Sequence, residues 1–241
     1  MTAPAGLPLR FARVSRRFGA VVALDDVTLD VAAGESLLLL GANGAGKSTL
    51  LKIAAGLARP SSGAVEIGGT RAGRGAERAL VGYLGHKTFL HDYLTAKENL
   101  VFYARLYGVS AGEADARAER WLETVGLARA ADRQVRGFSR GMMQRLALAR
   151  AFVHEPRLLL FDEPDAGLDA DGRARLFAAL DARRAAGTTV LHVSHHPEAA
   201  LSHAGRVVAL RAGRVVADGP ADSRAPEDWL GAAAARAGGP R

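Results

Sequence analysis

Residues 41–49 read GANGAGKST and fit the spacing G-x-x-x-x-G-K-[ST]. Gly41, Gly44 and Gly46, with Ala42, Asn43 and Ala45 between them, let the backbone turn its N–H groups toward a chain of phosphates. Lys47 is placed to reach the β- and γ-phosphates, and the Ser48 hydroxyl, next to Thr49, to ligate Mg²⁺. A helix expected to begin near Gly46 aims the positive end of its dipole at the same point. A cradle of this kind needs a metal-orienting carboxylate on a neighbouring strand, and RLLLFDEP (157–164) offers Asp162 at the end of an apolar run. An unpaired charge at the end of a buried strand is costly, so Asp162 is expected to hold Mg²⁺, directly or through water. Glu163 follows at once and is placed to polarise an attacking water as general base. Together these residues predict a site that hydrolyses a nucleoside triphosphate.

The elements that must position them can be read from periodicity. SLLLL (36–40), RLLLF (157–161) and TTVLHVS (188–194) are short continuous apolar runs suited to central strands buried on both faces. Helix-compatible segments follow at 47–57, 170–186 and 197–203, and this alternation predicts a parallel sheet in an α/β layer fold. Further strand patterns lie at 9–14, 21–31 and 64–67. From about 96 to 154 the chain is helix-rich, stopped by Pro156, and reads as an inserted lobe. The division expected is a single unit, with a nucleotide-binding core over 1–85 and 156–225, a helical lobe over 86–155 and a C-terminal tail over 226–241.

Composition narrows the classes. The chain has 241 residues, 49% hydrophobic and 24% charged, enough for a sizeable core. It contains no cysteine, which excludes a disulfide framework or a thiolate zinc site. No signal peptide is read at the N-terminus, and no apolar run approaches the roughly 18 residues that span a bilayer. The net charge of +7 is spread over scattered arginines, with lysines only at 47, 52, 87 and 97, so it is not read as a nucleic-acid stripe. The two asparagines, Asn43 and Asn99, precede no lysine, so the usual guanine-reading element is missing.

FSRGMMQRLALARAFVHEPRLLLFDEP (138–164) resembles the ABC ATPase family, in which a signature, most often L-S-G-G-Q, lies shortly before the strand carrying Asp-Glu-Pro. The resemblance runs from about residue 8 to 220. It implies a P-loop NTPase core with a mainly parallel sheet, an antiparallel β subdomain and an inserted α-helical signature lobe. It also implies ATP and Mg²⁺ as cofactors. By this resemblance Phe18 stacks on adenine, and Ser139 and Gly141 contact the γ-phosphate from the opposite subunit. Asp169 couples the two subunits, and His195 is the switch histidine, with His192 and His196 as its neighbours. The implied assembly is a homodimer of cassettes on a separate integral membrane subunit, held peripherally at the cytoplasmic face, with residues 86–110 as docking surface.

Two departures stand out. Arg140 and Met142 replace a glycine and the glutamine of the signature, and His86, in VGYLGHKTFL, takes the place of the sensor glutamine. Read alone, His86 could be a base, a metal ligand or a bystander; by the resemblance it meets the metal and γ-phosphate site, with a charge state sensitive to pH near neutrality. Gly-His here, the S-R-G-M signature, TAKENLVFYARLYGV and GMMQRLALARA resemble the ATP-binding subunit of the haem exporter of c-type cytochrome maturation. The alternative cargo is a drug, lipid or polysaccharide moved by a related exporter. A non-transport ATPase acting on nucleic acid or ribosomes is the remaining alternative, and no nucleic-acid partner is expected.

Overall fold

A computed structural model describes residues 6–72, 75–194 and 197–234. Two sheets organise the chain. The first is antiparallel, in the order β2–β1–β4–β5, from β1 (Leu9–Phe18), β2 (Val21–Val31), β4 (Ser62–Ile67) and β5 (Thr70–Arg71). The second has six strands in the order β10–β9–β3–β8–β7–β6. It joins β3 (Ser36–Leu40), β6 (Val81–Leu84), β7 (Leu158–Asp162), β8 (Thr189–Val193) and β9 (Arg206–Arg211) in parallel, with β10 (Arg214–Pro220) antiparallel at its edge. The expected α/β core and antiparallel subdomain are therefore both present.

The continuous leucine runs are explained by two cores on opposite faces of the parallel sheet. Leu38, Leu40, Leu159, Phe161 and Val190 point into one, and Leu37, Leu39, Leu158, Leu160 and Leu191 into the other. Side chains alternate across a strand, so a strand covered on both faces must be apolar at every position. The second core joins α1 (Lys47–Ala54) and the antiparallel sheet to the parallel one. The first holds the helical lobe, α2 (Ala96–Leu106), α3 (Ala111–Thr124) and α4 (Arg140–Phe152). Helix α2 opens with a capping box, in which Thr95 accepts from the Glu98 N–H and Glu98 accepts from the Thr95 N–H. The lobe is keyed to the sheet by a stack of Trp121 on Phe152 at 4.6 Å and an edge contact of Phe152 with Phe161 at 5.4 Å. Helices α5 (Ala170–Ala185) and α6 (Pro197–Leu201) follow β7 and β8.

The C-terminal part of the chain departs from expectation. Residues Pro226–Ala234, assigned to a tail, form α7, and Trp229 in it is fully buried against the sheet. Its indole Nε1–H donates to the Ala221 carbonyl at 3.2 Å. DWLGAAA is too short to show a helical period, so the sequence leaves it in the tail, and a single buried tryptophan anchors it. Trp229→Ala is expected to cost about 3–5 kcal/mol of stability, the usual loss for a large buried aromatic. Chemical denaturation of the two chains would check this, and an unchanged midpoint would contradict the anchoring role.

The strand pair β9–β10 was also not singled out by periodicity. Its two-residue turn holds Ala212 at φ 47° and Gly213 at φ 79°. That turn favours Asn-Gly or Asp-Gly, so alanine at the first position hides the usual hairpin signal.

Candidate functional site

The loop 41–46 leaves β3 and enters α1 through Gly46, whose φ of 106° lies in the left-handed region. A Cβ on Gly46 would stand 2.4 Å from the Ala23 carbonyl of β2, so glycine is required on both counts. Gly41 is equally confined, with the Leu210 carbonyl 2.6 Å from where its Cβ would be. Ala45 is buried while Ala42, Asn43 and Gly44 are exposed, which anchors the loop on one side and presents it on the other. Helix α1 has no side-chain cap and no acidic residue in its first turn, so its N-terminal N–H groups keep their positive field for an anion.

Lys47, Asp162, Glu163 and His86 meet beside this loop. The Lys47 Nζ donates to the Gly41 carbonyl at 2.6 Å and to that of Ala42 at 3.0 Å. Burial lowers its pKa, an effect opposed by the charges of Glu163 and Asp162. Asp162 is buried, and neither of its carboxylate oxygens has a hydrogen-bond partner. A bound cation would satisfy a buried carboxylate left without donors, so this residue fits the Mg²⁺ expected beside it. Glu163 lies next to it with φ 59°, a strained setting for a non-glycine residue, and its N–H is held by the Val193 carbonyl at 3.0 Å. The ring of His86 stands between the two acids, with Nε2 3.9 Å from Asp162 Oδ2 and Nδ1 3.9 Å from Glu163 Oε2. Ser48 and Thr49 lie half-buried in the first turn of α1. A cavity of about 330 Å³ runs along the loop, lined by Gly41, Lys47, Glu163 and Ser194 and walled by Leu230 and Ala233 of α7.

Other expected residues stand elsewhere. Phe18 ends β1, 51% exposed, with the Arg16 guanidinium 4.4 Å from its ring centroid. A half-exposed ring in that position offers a face for stacking. Ser139 and Gly141 do not line the cavity of Lys47 and Glu163. Ser139 caps α4, accepting from the Met142 N–H at 3.3 Å, and a Cβ on Gly141 would meet the Gly167 carbonyl at 3.6 Å. Asp169 caps α5, accepting from the Gly172 N–H at 2.8 Å, so its side chain has a local structural partner. The signature start therefore faces the loop before Asp169, and neither Ser139 nor Gly141 lines the cavity along the phosphate cradle. His195 and His196 lie outside the described residues.

The structure adds residues that the sequence reading did not name. Asp165 is buried and its Oδ2 accepts from the Ser194 hydroxyl at 2.6 Å, which ties the segment after Glu163 to the end of β8. Gln144 of α4 donates to the Pro164 carbonyl at 3.1 Å and links the signature helix to the same segment. Arg150 is buried and donates to the Tyr83 carbonyl at 2.7 Å, with its guanidinium over Phe89 and Tyr103. The repeated acids of D-E-P-D are visible in the sequence, but only the fold shows that Asp165 turns inward as Asp162 does.

Two buried histidines set a pH limit on the scaffold. His192 in β8 has neither ring nitrogen hydrogen-bonded, and His154 after α4 has one on the Val81 carbonyl at 3.1 Å. Burial pushes both pKa values down from 6.5 to about 4. The unfolded chain therefore binds more protons than the native one between pH 6.5 and about 4, and stability present above that window is lost as pH falls through it. The two residues together are expected to cost on the order of several kcal/mol by the bottom of the window. Denaturation midpoints measured from pH 7 down to 4 should fall, and His154→Gln should flatten the slope; an unchanged slope would contradict this assignment.

The cradle on a β3–α1 turn, the acid pair at the end of β7 and the helical insert define a P-loop nucleoside triphosphatase core with an added lobe. The chain belongs to the ABC transporter family, whose model matches residues 24–166, and is an ATP-binding subunit of that type. It is 40% identical over 209 residues to the daunorubicin resistance ATP-binding protein DrrA3 of Streptomyces coeruleorubidus. That match covers 86% of this chain and 66% of the relative, just under two thirds of its length. It is 37% identical to the ABC transporter ATP-binding protein NatA of Bacillus subtilis, over 87% of this chain and 88% of that one. A solved dimeric ATP-binding cassette, in a post-hydrolysis state bound to ADP and phosphate, superposes with a TM-score of 0.82. Its sequence is 26% identical, and the superposition covers 90% of this chain and 100% of that one.

Proposed function

We propose that the chain is the ATP-hydrolysing motor of an ABC exporter, working as a homodimer of cassettes docked on a separate membrane subunit. The observation that carries this reading is the division of the site. Lys47 and Glu163 line the cradle cavity with Asp162 close by, while Ser139 and Gly141 do not line it and Gly141 faces the Gly167 carbonyl. One chain supplies a cradle without a cap, and a second copy facing it would supply the cap.

In this mechanism Phe18 stacks on adenine, and the loop 41–49 with Lys47 binds the phosphates. Ser48 and Asp162 would hold Mg²⁺, which when bound neutralises charge building on the β- and γ-phosphate oxygens. Glu163 orients and deprotonates the attacking water. Ser139 and Gly141 of the partner copy close over the γ-phosphate, Asp169 links the two copies, and His195 contacts the γ-phosphate.

The described residues contain no helix long and apolar enough to cross a membrane, and this reading places the translocation path in a membrane partner. Phe89, Tyr93, Phe102 and Leu106 are large apolar side chains 42%, 76%, 43% and 62% exposed, and they favour 86–110 as the docking surface. The cassette then sits at the cytoplasmic face. His86 and the S-R-G-M signature favour haem as cargo, with the cytochrome c maturation membrane subunits as partners. The drug-resistance role printed in the name of the 40%-identical relative favours drug export as the second reading.

Purification of the tagged chain from its native membranes tests both readings. Recovery of a polytopic subunit with bound haem supports the first. A permease whose loss sensitises cells to a drug supports the second. Recovery of rRNA or DNA without a membrane protein would overturn both.

A further inference from the structure

We infer that His86 is a nitrogen donor to the divalent cation of the nucleotide site and shifts its selectivity from Mg²⁺ toward later first-row metals such as Co²⁺. The inference rests on the ATP-site reading and deepens it.

Three observations support it. Asp162 is a fully buried carboxylate with both oxygens unpartnered, so the space it faces is built for a cation. The His86 ring flanks that space, with Nε2 3.9 Å from Asp162 Oδ2 and Nδ1 3.9 Å from Glu163 Oε2. Both distances are too long for hydrogen bonds. With metal–ligand distances of about 2.1 Å, octahedral donors lie about 3 Å apart when adjacent and about 4 Å apart when opposite. The observed separation falls inside that range, so an ion or its bound water fits between ring and carboxylate with a small side-chain rotation.

The other described histidines are committed elsewhere. His154 bonds to the Val81 carbonyl, His203 to Asp181, His91 stacks on Tyr103, and His192 is enclosed in β8. No group of three histidine, cysteine or acidic residues among the described residues could hold a metal alone. The phosphate oxygens of the nucleotide complete the set, and metal binding at His86 therefore depends on ATP.

The chemical consequence comes from the donor type. A hydroxyl, a carboxylate and phosphates form an all-oxygen set that suits Mg²⁺. Imidazole nitrogen in one position raises affinity for borderline ions along the Irving–Williams order and does little for Mg²⁺. At a site with His86, metal identity becomes a variable that an amide oxygen there would not introduce.

The test uses the full chain in a Glu163→Gln background with ATP, uniformly ¹⁵N-labelled so that adenine nitrogen does not contribute. Mn²⁺ serves as the probe for pulsed electron paramagnetic resonance. A ¹⁵N coupling typical of coordinated imidazole is expected, together with its loss in His86→Gln. In competition titrations the Co²⁺-over-Mg²⁺ preference of the parent should exceed that of His86→Gln by about tenfold or more. Absence of ¹⁵N coupling in the parent overturns the inference, whatever the variant does. Persistence of the coupling in His86→Gln also overturns it. If Mn²⁺ bound to the parent no better than to Lys47→Ala, with no ATP retained by either, the ATP-site reading itself would fail.

Discussion

Glu163→Gln is expected to lower ATP hydrolysis by at least about 100-fold while leaving ATP bound. The reason lies in how the residue is held. Its backbone is fixed in a left-handed conformation by the N–H bond to the Val193 carbonyl, so the carboxylate is aimed by the ends of two central strands. The strain costs about 1–3 kcal/mol and persists only because the surrounding sheet over-determines it. Glutamine keeps the size and the backbone but cannot take a proton from water. Binding groups such as Lys47 and the α1 N-terminus are untouched, so the bound state should accumulate. In the proposed cycle that state is the closed pair, and size-exclusion chromatography with saturating ATP should shift toward a dimer. A variant that stayed monomeric and hydrolysed at the wild-type rate would remove Glu163 from the mechanism.

Lys47→Ala should act earlier, at binding. The Nζ lies within reach of two loop carbonyls and close to two carboxylates, and it is the lysine of the cradle. Its removal takes away a phosphate contact and leaves Asp162 buried without that neighbouring cation, which adds a folding cost of about 1–3 kcal/mol. ATP affinity is expected to fall by about 100-fold or more, the scale of a lost charge-assisted contact in a partly buried site. Isothermal titration with ATP reads the affinity, and thermal denaturation without nucleotide reads the folding cost. Undiminished affinity would show that the loop N–H groups alone hold the phosphates.

The chemistry of the core was legible because it is written in local sequence. A phosphate loop needs its glycines, lysine and hydroxyls within nine consecutive residues, and the acid pair must terminate an apolar run. The five-residue leucine strands were legible for the same reason, since two covered faces demand apolar residues throughout. What escaped depends on contacts between distant segments. Strand β6 is four residues long and carries Gly82, whose Cβ would collide with the Ala151 carbonyl, so its packing requirement suppresses the strand signal. Helix α7 is held by one tryptophan, and no periodicity announces it. Asp169, assigned to a subunit contact by resemblance, already caps α5, a local role that does not preclude the other. Asp165 and Ser194 are 29 residues apart, and only the adjacency of β7 and β8 makes them partners.

The carbonyl of Ala23 in β2 faces two glycines of the core. It lies 2.4 Å from where a Cβ would stand on Gly46 and 2.9 Å from that of Gly213. The Gly213 carbonyl accepts from the Asp25 N–H at 2.9 Å, and the Gly213 N–H donates to the Ala45 carbonyl at 3.0 Å. The antiparallel sheet, the phosphate loop and the β9–β10 hairpin are thus pinned at one peptide. Phe18 rides on that sheet, so the proposed grips on base and phosphates would be the jaws of a caliper joined at that peptide. Length between base and terminal phosphate then becomes a measured quantity, and a one-residue insertion at Ala212–Gly213 would spoil the measurement without touching either jaw.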